Sequence, residues 1–314
     1  MAVKALGVGA GDEVIIPGFS YVALANAVVN NGAKPVFADV TCPGGNLDVK
    51  SVADNISQRT RAIIALHYAG SPCDIVALAE LCRAHNIYLI EDAAQALGST
   101  YQDKPLGSFG HIGCLSFDYM KNVSCGQGGL LIINDPDLKL KVQSIFDNGT
   151  DRYAVLNGTQ KYFHWVGKGL NYQMNPIASY FLSAQLRELG SITDDRLGKW
   201  DLYHELLSPL VSKNKIIINH PDQGHNGHIF YLIAASEAER SALRGYLREN
   251  GIFSEPHYSS LANSPYGRQF TSQNGTLVNS EDLCHRLLRL PIWYGISDSE
   301  VEMVASGIES FYAQ

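Results

Sequence analysis

The first two thirds of the chain alternate short apolar runs with helical stretches, and this alternation constrains the fold more than any other feature. Runs at 13–16, 35–38, 62–66, 87–90, 114–117 and 129–133 read as strands. Between them, helices are expected at 21–30 with Ser20 as N-cap, at 48–56, at 74–85 with Asp74 as cap, and at 136–146. Strands that are apolar throughout must be covered on both faces, so the pattern implies a mostly parallel α/β sheet with helices on each side. Residues 148–175 are aromatic and glycine-rich without a period, which predicts a long functional loop or an interface segment. Residues 176–207 read as helix in two pieces. After Ser212 the texture changes to a strand at 229–234 and helices at 237–250, 280–288 and 298–312. The expectation is a large domain over 1–210 and a smaller α+β domain over 211–314.

Composition removes several classes of function. A net charge of −7 with no basic run argues against a nucleic-acid or anionic-membrane binder. Charged residues make up only 18%, so much of the surface is expected to be covered, by a partner subunit or by the chain folding back on itself. The longest uncharged stretch, 14–33, carries Pro17, Gly18, Gly32 and three Asn, so it does not read as a membrane helix. The N-terminal residues do not make a signal peptide. Six scattered cysteines with no CxxC pair read as reduced thiols in a cytoplasmic protein. Ten histidines show no HExxH and no clustered ligand spacing, so no metal is expected.

Two strands end in reactive side chains. The run 87–90 leads into Glu91-Asp92-Ala93-Ala94-Gln95, and the run 114–117 into Asp118-Tyr119-Met120-Lys121-Asn122 and a Gly-rich turn. Open α/β sheets bind ligands at these carboxyl ends. Asp92 reads either as the N-cap of the Ala-rich turn or as a partner for a cationic heterocycle. Lys121 reads either as a solvated loop lysine or as an amine whose lost hydration favours the neutral, nucleophilic form. An Asp and a Lys at two strand ends are what a pyridoxal phosphate enzyme requires, the amine for the aldehyde and the carboxylate for the ring nitrogen. Gly7-Val8-Gly9-Ala10-Gly11 lacks dinucleotide-binding spacing and precedes its strand, and no GxxxxGK[ST] occurs.

Several runs together carry a family resemblance. They are Gly-Asp-Glu-Val-Ile-Ile-Pro-Gly-Phe-Ser-Tyr-Val-Ala at 11–23, Ala25-Asn26, Glu-Asp-Ala-Ala-Gln-Ala at 91–96, Gly-Ser-Phe-Gly at 107–110, Ser-Phe-Asp-Tyr-Met-Lys-Asn at 116–122 and Gly-Leu-Asn-Tyr-Gln-Met at 169–174. In order and spacing they resemble the DegT/StrS family of pyridoxal-phosphate-dependent nucleotide-sugar aminotransferases, from end to end of the chain. The resemblance implies the type I aminotransferase fold, the larger domain holding the cofactor, a homodimer with shared active sites, and a place in amino-sugar synthesis for cell-surface polysaccharide. It assigns Lys121 to the cofactor aldehyde and proton transfer, Asp92 to the pyridinium nitrogen and Gln95 to the ring hydroxyl. Tyr21 would stack on the ring; without the resemblance it reads as a core aromatic on a helix. Ser116 would donate to the cofactor phosphate, and Asn171 or Gln173 would reach the phosphate of the neighbouring subunit. His67, His228 and His257 read as structural histidines. The segments at 148–152, 161–165 and 255–258 look most like those of members that aminate dTDP-4-keto-6-deoxyglucose with glutamate.

Two departures from the pattern stand out. Family members carry several tens of residues before the position of Ala5, including a phosphate-cradling helix start, so the chain is expected to be truncated or to begin upstream. Gln173 stands where many members have Arg, and Ala262 follows a Ser-Ser-Leu where Pro-Leu-His is common. Other acceptors, such as a GDP-linked keto sugar or a cyclitol, therefore remain alternatives, as does an inactive binding protein of the same fold.

Overall fold

The computed structural model describes residues 1–219, 224–271 and 276–314. Its larger sheet contains β1 (Glu13–Pro17), β2 (Lys34–Ala38), β3 (Thr60–Leu66) and β4 (Tyr88–Asp92). After a small hairpin, β5 (Thr100–Tyr101) and β6 (Lys104–Pro105), the sheet is completed by β7 (Ile112–Ser116) and β8 (Gly129–Ile133). The strand order is β2-β1-β3-β4-β7-β8, all parallel except β8, which runs antiparallel to β7.

Alternate side chains of each strand feed two separate cores, as a sheet covered on both faces demands. Val14, Ile16, Ile64, Leu66 and Ile90 face one core. Ile15, Ile63, Ala65 and Leu89 face the other, where they meet Val52 of α3 (Val49–Asp54) and Ile75, Leu78 and Cys82 of α4 (Ile75–His85). Asp48 and Asp74 cap these two helices through Lys50 and Ala77 amides at 2.9 and 3.2 Å. The helix expected at 21–30 is shorter, α2 being Ala23–Val29. Ser20 does not cap it. Its buried hydroxyl instead donates back to the Pro17 carbonyl at 3.2 Å, which tightens the turn leaving β1.

Four further helices pass from one half of the chain to the other: α5 (Lys139–Phe146), α6 (Arg152–Leu156), α7 (Pro176–Arg187) and α8 (Leu189–Ser212). The start of α8 packs Ile192 against Phe117, Val123 and Leu182. Its later turns pack Trp200, Tyr203, Leu207 and Leu210 into a different core, with Phe230, Leu232, Leu288 and Leu290. That second core belongs to a four-stranded antiparallel sheet, ordered β11-β12-β10-β9 from β9 (Ile217–Ile218), β10 (Phe230–Ile233), β11 (Glu255–Pro256) and β12 (Leu287–Leu290). Helices α9 (Glu237–Glu249), α10 (Val278–Arg286) and α11 (Asp298–Tyr312) accompany it. The helix expected over 280–288 stops at Arg286. Leu287-Leu288-Arg289-Leu290 fits either period, and pairing with β10 draws it into the sheet. Among the described residues no helix is long and apolar enough to cross a membrane.

The turn that leads into β7 rests on one buried carboxylate of its neighbour β4. Glu91 accepts the Phe109 and Gly110 amides, both at 2.6 Å, and the Gly107 amide at 2.8 Å. His67 Nε2 donates to it at 3.1 Å, because the Cys73 amide donates to His67 Nδ1 and so requires that nitrogen to be unprotonated. Burial alone would raise the Glu91 pKa, but these hydrogen bonds outweigh it and hold the group below its usual value. Glu91 therefore stabilises the fold while ionised, and that contribution fades as pH falls through its folded-state titration. Glu91→Ala is expected to cost about 3–5 kcal/mol in chemical denaturation at neutral pH, with the gap to the parent narrowing in acid. A loss below about 1 kcal/mol would show that water can take over these amides.

Candidate active site

Strand order reverses beside β1, with β2 on one side and β3 and β4 on the other, so a crevice opens outside the carboxyl ends of the strands. The residues that follow those ends meet there. Asp92 closes β4 and is half-buried, with one oxygen accepting the Ala94 amide at 2.9 Å. Its other oxygen has no hydrogen-bond partner among the described residues. Burial pushes the carboxyl above its usual range, while the Ala94 amide and the Lys121 charge pull it back. Lys121 lies in the turn beyond β7, where its own amide donates to the Asp118 carbonyl at 2.9 Å. Burial lowers its pKa, opposed by Asp92 and Asp118. Its amine makes no hydrogen bond or ion pair among the described residues. The structure thus brings together the two groups that the sequence placed on separate strands, close enough for each to act on the other's ionisation.

Gln95 sits beside them, buried. Its side-chain carbonyl accepts the Ala69 amide at 2.7 Å, and its NH2 donates to the Tyr258 hydroxyl at 2.8 Å. An amide carries two N–H bonds, so one remains for a ligand. Tyr21 is neither helical nor in the core. It precedes α2, is 61% exposed, and its ring centroid lies 6.4 Å from that of Tyr258. Ser116 ends β7, and its hydroxyl accepts only a long 3.4 Å contact from the Asp118 amide. Asn171 and Gln173 sit elsewhere, on the exposed 147–175 segment. Asn171 accepts the Gln173 amide at 3.1 Å, and Gln173 reaches Asp147 at 3.4 Å.

The far wall comes from the smaller sheet's half of the chain. His228 Nδ1 lies 2.7 Å from Asn122 Oδ1, and Asn122 Nδ2 donates to the Asn226 carbonyl at 3.2 Å. That orientation makes His228 Nδ1 the protonated nitrogen of a neutral ring. Burial and then the charge of Lys121 keep it neutral. His257 stacks on Tyr258 at 3.7 Å, and its Nδ1 lies 3.1 Å from the Tyr68 hydroxyl. Burial, then Arg289, then Lys121 bring His257 down to about 2. Asn226 bonds the Gln95 and Leu97 carbonyls, both at 2.9 Å, and receives the His228 amide at 3.1 Å. Tyr68, Tyr258, Asn226 and Arg289 were not singled out from the sequence. The cluster His225-Asn226-Gly227-His228 was the signal available for Asn226.

These fields give a prediction that needs no turnover. Lysines dimethylated by reductive methylation with labelled formaldehyde can be titrated one by one by 13C NMR. The Lys121 resonance is expected to titrate below ordinary lysines, because burial disfavours its charge. In Asp92→Asn it should titrate lower still, because a neighbouring negative charge has gone. An unchanged value in that variant would separate the two groups.

Comparison with known proteins agrees with this geometry. Residues 1–309 match the model of the DegT/DnrJ/EryC1/StrS aminotransferase family. A GDP-perosamine synthase from Vibrio cholerae is 30% identical, over 99% of this chain and 83% of its own length. A dTDP-4-dehydro-2,3,6-trideoxy-D-glucose 4-aminotransferase from Saccharopolyspora spinosa is 32% identical, over 97% and 79%. The aminotransferase TlmJ from Streptoalloteichus hindustanus superposes with a TM-score of 0.90 at 30% identity, covering 99% of this chain and 82% of that one. With a matching family model over nearly its whole length and a carboxylate–lysine pair in the strand-end crevice, the chain belongs to the DegT/DnrJ/EryC1/StrS family, whose members are pyridoxal-phosphate-dependent aminotransferases of nucleotide sugars.

Proposed function

We propose that the chain aminates dTDP-4-keto-6-deoxyglucose, with glutamate as amino donor. The observation that carries the reaction is the half-buried, unpartnered amine of Lys121 set against the Asp92 carboxylate. The dTDP-linked acceptor is supported by the segments at 148–152, 161–165 and 255–258 and by the 32% identical relative, which is named for a dTDP sugar. A GDP-linked acceptor is the second reading, favoured by the relative named GDP-perosamine synthase.

The residues present suit pyridoxal phosphate. Asp92 keeps one oxygen for the ring nitrogen, Gln95 keeps one N–H for the ring hydroxyl, Tyr21 offers an open aromatic face, and the Ser116 hydroxyl has a proton to give to the phosphate. When bound, the cofactor supplies an electron sink for charge developed at the amino-bearing carbon. The chain's own part is proton handling and orientation. Lys121, neutral more readily than a free lysine, takes the proton from the donor's α-carbon and later returns one to the sugar carbon that is aminated. Asp92, ionised, holds the ring-nitrogen proton in place. His228 and His257 stay neutral and so do not compete for that proton.

Lys121→Ala is expected to lower kcat at least about 100-fold and to abolish the visible absorbance of the lysine-bound cofactor. Retained turnover would overturn the assignment. A panel of dTDP-keto sugars, GDP-keto sugars and cyclitols separates the acceptors, and cofactor binding without turnover of any would return the chain to a binding role.

We also infer a homodimer in which Asn171 and Gln173 reach the partner's site. The support is an apolar band on 156–180 left uncovered among the described residues, with Trp165 80%, Ile177 80% and Tyr180 81% exposed. Sedimentation should give twice 34.3 kDa for the parent and a monomer for Tyr180→Glu combined with Ile177→Glu. A monomeric parent would refute this.

A further inference from the structure

Arg289 stands in β12 in register with Tyr231 of β10 and Glu255 of β11. Directly opposed residues share a face of the sheet. Leu288 and Leu290, on the other face, pack into the core with α8, whereas Leu287 and Tyr231 pack toward the larger sheet. The Tyr231 ring lies 5.5 Å from that of Tyr68, whose hydroxyl meets His257. Arg289 therefore projects on the face that closes the crevice.

Its guanidinium makes no hydrogen bond or ion pair among the described residues, and its Nε is shut away from solvent without a partner. The carboxylate nearest in register, Glu255, is held by Arg244 at 2.6 and 2.9 Å. Leaving a buried donor unpaired is unfavourable, and a ligand oxygen would remove that penalty. The other arginine at this wall is already committed. Arg196 bonds the Gly227, His228 and Ile292 carbonyls at 3.1, 2.7 and 3.3 Å. Lys121 is the reacting amine. Among the described residues at this wall, that leaves one uncommitted cation with a planar fork, which can take a carboxylate through two parallel hydrogen bonds, as it can a phosphate. The charges of Arg289 and Lys121 both act on His257, which stands on the same wall.

We propose that Arg289 receives a carboxylate of the amino donor, positioning the donor's amine beside Lys121. This rests on the transaminase reading above. The donor is the substrate that carries a carboxylate on the reacting carbon itself, so a guanidinium on this wall would select amino acids over plain amines.

The test uses the holoenzyme and the variants Arg289→Met and Arg289→Lys. In Arg289→Met, KM for glutamate should rise about 10- to 100-fold, with KM for the nucleotide sugar and the cofactor absorbance unchanged. Arg289→Lys, which keeps charge but loses the fork, should fall between and carries the comparison should the Met variant not fold. Calorimetry with glutarate, a carboxylate without an amine, should show binding to the parent that is lost in Arg289→Met. An unchanged glutamate KM, or a rise confined to the nucleotide sugar, overturns the proposal; the latter would give the guanidinium to the diphosphate. Glutarate binding that depends on Arg289, in an enzyme that aminates no keto sugar, would uphold this inference and sink the sugar acceptor instead.

Discussion

An amine and a carboxylate share a crevice that wants neither of them charged, and the rest of the site is organised around that conflict. Lys121 and Asp92 each lose hydration on folding, which drives one toward its neutral amine and the other toward its neutral acid. Each also supplies the opposite charge that resists the other's drift. The balance leaves both ionisations easily moved by whatever enters between them. A cationic ring beside Asp92 would reinforce its charge, and a ligand that took up the Lys121 amine would remove the opposing one. A site that must pass a proton back and forth gains from such a balance, since neither end of the transfer is deep in a well.

The two groups hold their places because the backbone around them is tied down by buried polar contacts. Glu91, next to Asp92, gathers three amides from 107–110 and a donor from His67. A side chain at Gly113 would lie 2.1 Å from the Gly107 carbonyl, so that approach is open to glycine alone. On the other side Asn226 joins Gln95 to His228, and a β-carbon at Gly70 would fall 1.9 Å from its side-chain oxygen. Close packing of this kind leaves the strand ends little freedom to relax.

What could be read from the sequence was local. The span 298–312 was legible to the residue because Ser297 and Glu300 cap each other, a signal contained within four positions. The sheet strands were legible because each is apolar on both faces. Asp92, Lys121 and Gln95 stood out because they follow such strands. The end of α10 was not legible, because only pairing with β10 decides whether Leu287–Leu290 is helix or strand. Tyr21 was ambiguous for a related reason: without tertiary context, an aromatic beside a helix reads as core, and only the turn at Ser20 leaves it outside. The far wall was legible only as histidines without a partner: His228 and His257 stood out, but not what they meet. Tyr258 meets Gln95 across 163 positions and His257 meets Tyr68 across 189, distances over which no periodicity speaks. Arg289 was hidden twice over, as a charged residue in an apolar strand whose face depends on that pairing.

The split of the crevice between two cores has a consequence for how such an enzyme can diversify. Asp92 and Lys121 hang from the parallel sheet, while His228, His257, Tyr258 and Arg289 hang from the antiparallel one. Asp39, just past β2, clasps the first turn of α10 through Asn279 and Ser280 at 3.0 and 2.8 Å, so the two halves are joined there as well as at the site itself. A substitution on the antiparallel wall can therefore alter what the crevice admits while leaving Asp92, Lys121 and the Asp39 clasp in place.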